Sequence, residues 1–380
     1  MKTIRVLVVD DSAFMRKVIS DILSEDPSIE VIDRARNGQE CIQKVKSLHP
    51  DVITLDLEMP IMNGLEALEL LMKEYPLPVV MLSSLTKEGA DATIRALELG
   101  AFDFITKPSG PISLDIHKVA DGIVEKVKAA ASSKQRRLGQ ITAKPVIRSM
   151  EPTAPSVANH PSMTEQVTPN VTTPASSPQS YIRLERNRIC SQKLVVVGTS
   201  TGGPKALQTL LTTIPADFPA PILVVQHMPP GFTKSLAQRL DTLCSLRVVE
   251  AEDGQQLEAG TVYVAPGGYH MEAVAHTGGM RIHLHQAEPR GGHRPSVDIL
   301  FESVSKLTNV SKWAIIMTGM GSDGTKGLKQ MKEAGPVTSI IEDESSCVVY
   351  GMPRSAVLAG LADNIVPLEK IAEKLVRLVN

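Results

Sequence analysis

The chain has 380 residues, a formal net charge of −2 at pH 7 and a pI near 6.5, so it exceeds one ordinary domain of roughly 100–200 residues and carries no basic field for a phosphate backbone. Four cysteines (Cys41, Cys190, Cys244, Cys347) lie far apart with no C-x-x-C spacing, which argues against a zinc site or disulfide framework. No run of about 18 apolar residues offers a membrane span, and the N-terminus turns acidic too soon for a secretory signal, so a soluble cytoplasmic protein that enters no membrane and binds no nucleic acid is expected.

Short β-branched runs alternate with amphipathic stretches from the start. VLVV (6–9), EVID (30–33), VITLD (52–56), VVMLS (79–83) and FDFIT (102–106) read as strands, with helices near 13–24, 38–48, 63–75, 87–99 and 113–131. Nearly continuous apolar strands separated by helices imply a parallel sheet covered on both faces. Five such units in about 130 residues suit a flavodoxin-like domain over 1–131. Residues 132–189 then scatter seven prolines among Ser, Thr and Asn with no periodicity. So few apolar residues cannot offset the entropy of ordering the backbone, and the stretch reads as a flexible tether.

Alternation resumes over 190–380. LVVVG (194–198), ILVVQ (222–226), RVVEA (247–251), WAIIMTG (313–319) and VTSII (337–341) are expected strands. Helices are expected near 204–214, 232–243, 296–307, 325–334, 353–359 and 368–379. YHMEAVAH and MRIHLHQ alternate with period two around Thr277-Gly278-Gly279, an antiparallel hairpin. The expected fold class is α/β, with a second, doubly wound domain carrying an antiparallel edge.

Chemistry gathers at carboxyl ends of strands. Asp10 and Asp11 follow the first strand, Asp56 ends the third, Ser83 ends the fourth and Lys107 follows the fifth. In an open parallel sheet these ends converge on one crevice. Crowded carboxylates repel one another unless a hard divalent cation such as Mg²⁺ neutralises them, and Lys107 balances the remaining charge. A carboxylate so placed can act as nucleophile toward a phosphoryl group. Asp10-Asp11-Ser12 also suits a helix cap, but four positions at four strand ends are harder to assign to caps alone.

Through VLVVDDS, ITLDLEMPIMNG, Ser83-Ser84 and ITKPS, residues 3–125 resemble the receiver domain of two-component response regulators. The resemblance implies that Asp56 accepts phosphate from a histidine kinase, here the chemotaxis kinase CheA. It also implies that Asp10, Asp11, Asp56 and the carbonyl of Glu58 hold Mg²⁺, and that Lys107 contacts the phosphoryl group. Ser83 and Phe104 occupy the family's switch positions, Phe104 where many receivers carry tyrosine.

In the second half, Gly198-Thr-Ser200-Thr-Gly202 follows an apolar strand and fits a nucleophile elbow, small flanking residues exposing the hydroxyl above the sheet edge. His227 ends the next strand and reaches the same edge as a candidate base. Asp323, after WAIIMTG, is the candidate orienting acid, with Asp298 as the alternative. The order Ser, His, Asp differs from that of α/β-hydrolases, and triads are recognised by geometry. The N–H of Met320 or Thr201 is the candidate oxyanion donor. His283-x-His285 could hold a metal on one strand face but no third ligand is evident, and His270, His276 and His293 read as surface or loop residues. A phosphate-binding reading of GTSTGG is disfavoured because Ser200 takes the middle glycine position and no G-K-[ST] follows.

GTSTGGP, VVQHMPPGFTKSLAQRL, VYVAPGGYHM, HRPSVD and MTGMGSDGTKGL over about 192–378 resemble the chemotaxis protein-glutamate methylesterases, the CheB family. The resemblance implies Ser200 as nucleophile, His227 as base, Asp323 as orienting acid and Met320 at the oxyanion hole, with no cofactor for hydrolysis. Its implied substrates are glutamyl methyl esters, and often glutamines, of methyl-accepting chemotaxis receptors. It further implies that the unphosphorylated receiver covers the catalytic crevice. A phosphorylation-controlled binding module without turnover is the competing reading. A transcription factor is not, since no basic recognition helix follows the tether.

Overall fold

The computed structural model describes residues 3–107, 122–133 and 192–380. The expected tether, 132–189, lies outside these residues except for Ser132 and Ser133, which end a helix.

The first sheet has five parallel strands, β1 (Ile4–Val9), β2 (Ile29–Ala35), β3 (Val52–Asp56), β4 (Val79–Ser83) and β5 (Asp103–Thr106), in the order β2-β1-β3-β4-β5. Helices α1 (Ala13–Ser24), α2 (Gly38–Leu48), α3 (Gly64–Glu74), α4 (Lys87–Leu99) and α5 (122–133) cover it. Both faces of β3 and β4 are buried, which is why their sequences are apolar without alternation. Caps fix the helix starts: Ser12 accepts from the Met15 N–H, and Asn63 and Glu66 form a reciprocal capping box on α3. Ser12 thus takes the capping role, while Asp10 accepts the Ser12 N–H through Oδ1 at 2.9 Å and keeps its other oxygen for the crevice.

The second sheet has seven parallel strands in the order β14-β13-β12-β6-β7-β9-β8. These are β6 (Gln192–Thr199), β7 (Ile222–Gln226), β8 (Arg247–Glu250), β9 (Thr261–Val264), β12 (Val310–Ile316), β13 (Thr338–Glu342) and β14 (Asn364–Val366). Helices α6 (Gly203–Leu211), α7 (Phe232–Leu243), α8 (Val297–Ser305), α9 (Thr325–Ala334), α10 (Met352–Leu358) and α11 (Leu368–Val379) flank it. The hairpin β10 (His270–His276) and β11 (Gly279–His285) is a separate two-stranded sheet, not the expected antiparallel edge. Its inner face, Met271, Ala273, Met280 and Ile282, is buried with Leu300 and Phe301 of α8, so the hairpin docks on a helix instead of extending the ladder. Strands β9 and β14 were not expected from the sequence.

Packing joins the two halves. α4 lies on α7, with Glu98 bonded to Arg239 at 2.7 Å, and Phe104 stacks on Phe232 with ring centroids 4.8 Å apart.

Candidate active site

Two crevices form at strand ends. In the first, oxygens of Asp10, Asp11 and Asp56 lie within 4.8 Å of one another. Lys107 Nζ reaches Asp56 Oδ2 at 2.7 Å and Asp10 Oδ2 at 3.0 Å, and its own N–H donates to the Ser83 carbonyl. Burial pushes Asp56 up to about 6, with the Asp10 charge adding to it and Lys107 opposing. The buried Oδ2 atoms of Asp10 and Asp56 share the single Lys107 ammonium. Hard, converging carboxylate oxygens fit a magnesium ion well. Ser83 does not face this crevice: its hydroxyl accepts from Thr93 at 2.7 Å and lies 3.1 Å from the Gly89 carbonyl, on the α4 side. Phe104 is buried against Phe232.

The second crevice lies above β6, β7 and β12. The Thr199–Gln226 register pair brings the next residues, Ser200 and His227, side by side, with the His227 N–H donating to the Thr199 carbonyl at 3.2 Å. The turn after β6 depends on its glycines. Gly202 has φ +79°, and a Cβ on Gly203 would lie 1.9 Å from Gln226 Oε1. Gly319 serves Ser200 directly, since a Cβ there would lie 2.8 Å from the Ser200 Cβ and its bareness leaves room for the serine side chain. The Ser200 N–H donates to the Thr318 carbonyl, and the Thr318 N–H donates to Glu342, a buried carboxylate that braces this rim from below. Sequence reasoning did not single out Glu342.

His227 and Asp323 meet at 2.8 Å, Nε2 to Oδ2. Burial alone would raise Asp323, but the His227 hydrogen bond and charge, with the backbone N–H groups of Asp298 and Val297, hold it down at about 2. An ionised carboxylate only accepts, so Nε2 carries the ring proton and Nδ1 has the lone pair. Nδ1 is buried with no hydrogen-bond partner among the described residues, so no bond joins it to Ser200 in this arrangement. Asp298, the alternative acid, instead accepts the Gly324 and Gly327 N–H groups and fixes the loop that carries Asp323.

One neighbour corrects the sequence reading. His293, expected on a surface or loop, lays its ring parallel to that of His227, with centroids 3.8 Å apart and planes at 10°. Burial and then the His227 charge push its pKa down to about 4, so it is neutral at physiological pH. His270, also expected outside, is fully buried. Stacking across separate elements leaves no periodic trace; the only sequence signal was the HRPSVD cluster itself.

The first half touches this rim directly. Thr201, next to Ser200, donates from Oγ1 to Asp103 Oδ2 at 2.6 Å, a buried bond. Asp103 also pairs with Lys126 of α5 at 3.0 Å. An open cleft of about 300 Å³ separates Ala129, Ser132 and Ser133 of α5 from Met320, Gly321 and Tyr350.

A receiver-type sheet with an acidic crevice, packed against the Ser, His and Asp rim of a second parallel sheet, defines a class: a hydrolase-type domain under a response-regulator domain. Family comparison agrees, the response regulator receiver domain matching residues 6–117 and the CheB methylesterase domain residues 195–375. The protein-glutamate methylesterase/protein-glutamine glutaminase of Halalkalibacterium halodurans is 51% identical over 98% of this chain and 98% of its own. That of Bacillus subtilis is 49% identical, covering 97% of this chain and 96% of its own. The crystal structure of the Thermotoga maritima CheB methylesterase catalytic domain is 48% identical, with a TM-score of 0.49, covering 50% of this chain and 100% of that one. The chain belongs to the CheB family of protein-glutamate methylesterases/protein-glutamine glutaminases.

Proposed function

We propose that this protein is a phosphorylation-controlled esterase that removes methyl groups from glutamyl side chains of chemotaxis receptors and deamidates glutamines there. Residues 1–131 act as receiver, 190–380 as hydrolase and 132–189 as the tether. The observation that carries the reading is the His227–Asp323 bond beside Ser200 at the ends of three neighbouring strands.

Ser200 is the nucleophile. His227 Nδ1 takes the hydroxyl proton as Ser200 attacks the ester carbonyl. Catalytic contacts of this kind commonly tighten only when substrate is bound. Asp323 holds the ring and stabilises the imidazolium, and the neutral face of His293 lies against it. The N–H groups of Thr201 and Met320, which meet no acceptor among the described residues, receive the oxyanion. His227 returns the proton to methanol, and water then frees the glutamate. An amide would release ammonia.

Control comes through the other crevice. Asp56 is the phosphoacceptor, receiving phosphate from the chemotaxis histidine kinase CheA, and Asp10, Asp11, Asp56 and the Glu58 carbonyl hold Mg²⁺. When bound, that ion neutralises charge on the phosphoryl group, and Lys107 supplies a second cation. Ser83 and Phe104 relay the change to the α4–α7 and Phe104–Phe232 contacts. The Asp103–Thr201 bond ties the residue beside the nucleophile to the receiver, so loosening the receiver frees Thr201 as well as opening the crevice.

Methanol release from a methylated receptor fragment tests the assignment: it should proceed with the wild-type chain and vanish with Ser200→Ala. Persistent release from that variant would count against it.

A further inference from the structure

The hairpin carries side chains that hydrolysis does not use. β10 and β11 pair His270 with His285 and Glu272 with His283. Directly opposed residues share a face of an antiparallel pair, as do residues two apart on one strand. The four therefore form a two-by-two grid on the face turned away from Met271 and Ile282. Ring centroids of His270 and His285 are 5.3 Å apart, those of His283 and His285 5.7 Å, and Glu272 Oε2 lies 3.9 Å from His285 Nε2.

Two of the imidazoles are already oriented from behind. His270 Nε2 lies 3.2 Å from the Glu288 carbonyl, which only accepts, so the proton sits there and the lone pair is on Nδ1. That Nδ1 is buried with no hydrogen-bond partner among the described residues, an uncompensated polar atom. His283 Nδ1 meets the Asp253 carboxylate at 3.2 Å, leaving its lone pair on Nε2. An outer bond to a carbonyl or carboxylate is the usual way a metal-binding histidine is oriented.

We propose that this hairpin face binds a divalent ion of the zinc class through His270, His283, His285 and Glu272. Three imidazole nitrogens and one carboxylate suit a borderline-soft ion and not Mg²⁺. Imidazoles sharing a tetrahedral ion place their centroids about 5 Å apart, near the spacing of the His270–His285 and His283–His285 pairs. Closing the set takes rotation of the part-exposed His283, His285 and Glu272 around the fixed His270. His285 binds through Nε2, its proton moving to Nδ1 at the expense of the long contact from the Ala287 N–H, 3.3 Å. Glu272 and Asp253 favour the cation. Arg281, which continues the same face, and Arg294, held by the Gln286 and Ala287 carbonyls, oppose it. His270 and His285 close the open end of the hairpin, where β11 runs into the segment carrying His293, so the ion would clamp the root of that segment.

The test uses the full chain with excess Mg²⁺ to occupy the receiver carboxylates. Zn²⁺ is titrated by calorimetry and Co²⁺ by its visible spectrum. One Zn²⁺ per chain should bind, with a four- or five-coordinate Co²⁺ spectrum. His283→Ala and His285→Ala, both at part-exposed positions, should each weaken binding roughly tenfold or more. His276→Ala, exposed at the far end of the same hairpin, should leave it unchanged. Binding that survives both substitutions belongs elsewhere and overturns the proposal, as does absence of Zn²⁺ binding.

Discussion

The two strand-end crevices are built alike and stand in different states. In the receiver the charged groups are already engaged, Lys107 closing on Asp56 and Asp10 at 2.7 and 3.0 Å. In the second domain His227 and Asp323 are locked together at 2.8 Å, but His227 Nδ1 has no hydrogen-bond partner among the described residues, and Thr201 beside Ser200 is bonded to the receiver's Asp103. On the proposed reading, the first site would take a phosphoryl group and the second would be released by it. The difference teaches that the proposed restraint would have a chemical component as well as a steric one, because Asp103 of the first half occupies the hydroxyl of the residue next to Ser200.

The largest effects should come from breaking the hydrolytic side. Asp323→Asn should lower the rate of ester hydrolysis by about 10³–10⁴-fold, because an amide can donate to Nε2 and favour the wrong tautomer. Steady-state kinetics with circular dichroism checks this, since Asp323 also accepts from Ser296, Val297 and Asp298. A loss of only a few-fold would remove it from the mechanism.

Next in size is the contact between the halves. Asp103→Ala deletes the one charge-assisted hydrogen bond it makes to Thr201, worth about 1.5–3 kcal/mol in the docked state, along with its Lys126 pair inside the receiver. Basal activity of the unphosphorylated chain should rise by up to about tenfold, with little change after phosphodonor treatment. An equal rise in both states would mean that Asp103 acts on chemistry and not on docking.

The receiver crevice has a pH signature of the opposite sense to that of Asp323. Burial raises Asp56 to about 6, so in the native state it holds a proton from about pH 4 to 6 that the unfolded chain has lost. Its ionisation therefore costs stability progressively as pH rises through that window, and Asp56→Asn should be more stable than wild type above pH 6 by about 3 kcal/mol without Mg²⁺. Denaturation at pH 4 and pH 7 measures it; a gap that does not widen with pH contradicts the assignment. Asp323, held near 2, stays ionised throughout this range.

The smallest effect belongs to His293. Replacing it with alanine removes a neutral ring from the face of His227 and should cost about 1 kcal/mol, roughly fivefold in the rate of hydrolysis. Phenylalanine should restore most of it, a rescue that a merely polar role would not permit.

Much of this was legible in the sequence. Continuous runs such as VLVV and ILVVQ mark fully buried parallel strands, and the residues just beyond them reach one edge by topology alone, which is how Ser200, His227 and Asp323 could be named together. β14 escaped because a three-residue edge strand has no period, and β9 because its four buried residues, TVYV, follow a turn without a helix between. The stack of His293 on His227, the burial of His270 and the pairing of Asp103 with Thr201 were not legible. Each joins elements distant in the chain through side-chain orientation, which patterning does not encode. The hairpin's independence from the main sheet was missed for a related reason: alternation fixes which face is apolar, not whether a strand or a helix covers it.

Methanol release from a methylated receptor fragment, measured before and after an acyl-phosphate donor in wild type and Asp56→Asn side by side, bears most directly on a hydrolase held back by its receiver. The account predicts strong stimulation of the wild type and unstimulated basal turnover in the variant. Equal stimulation of both would contradict it.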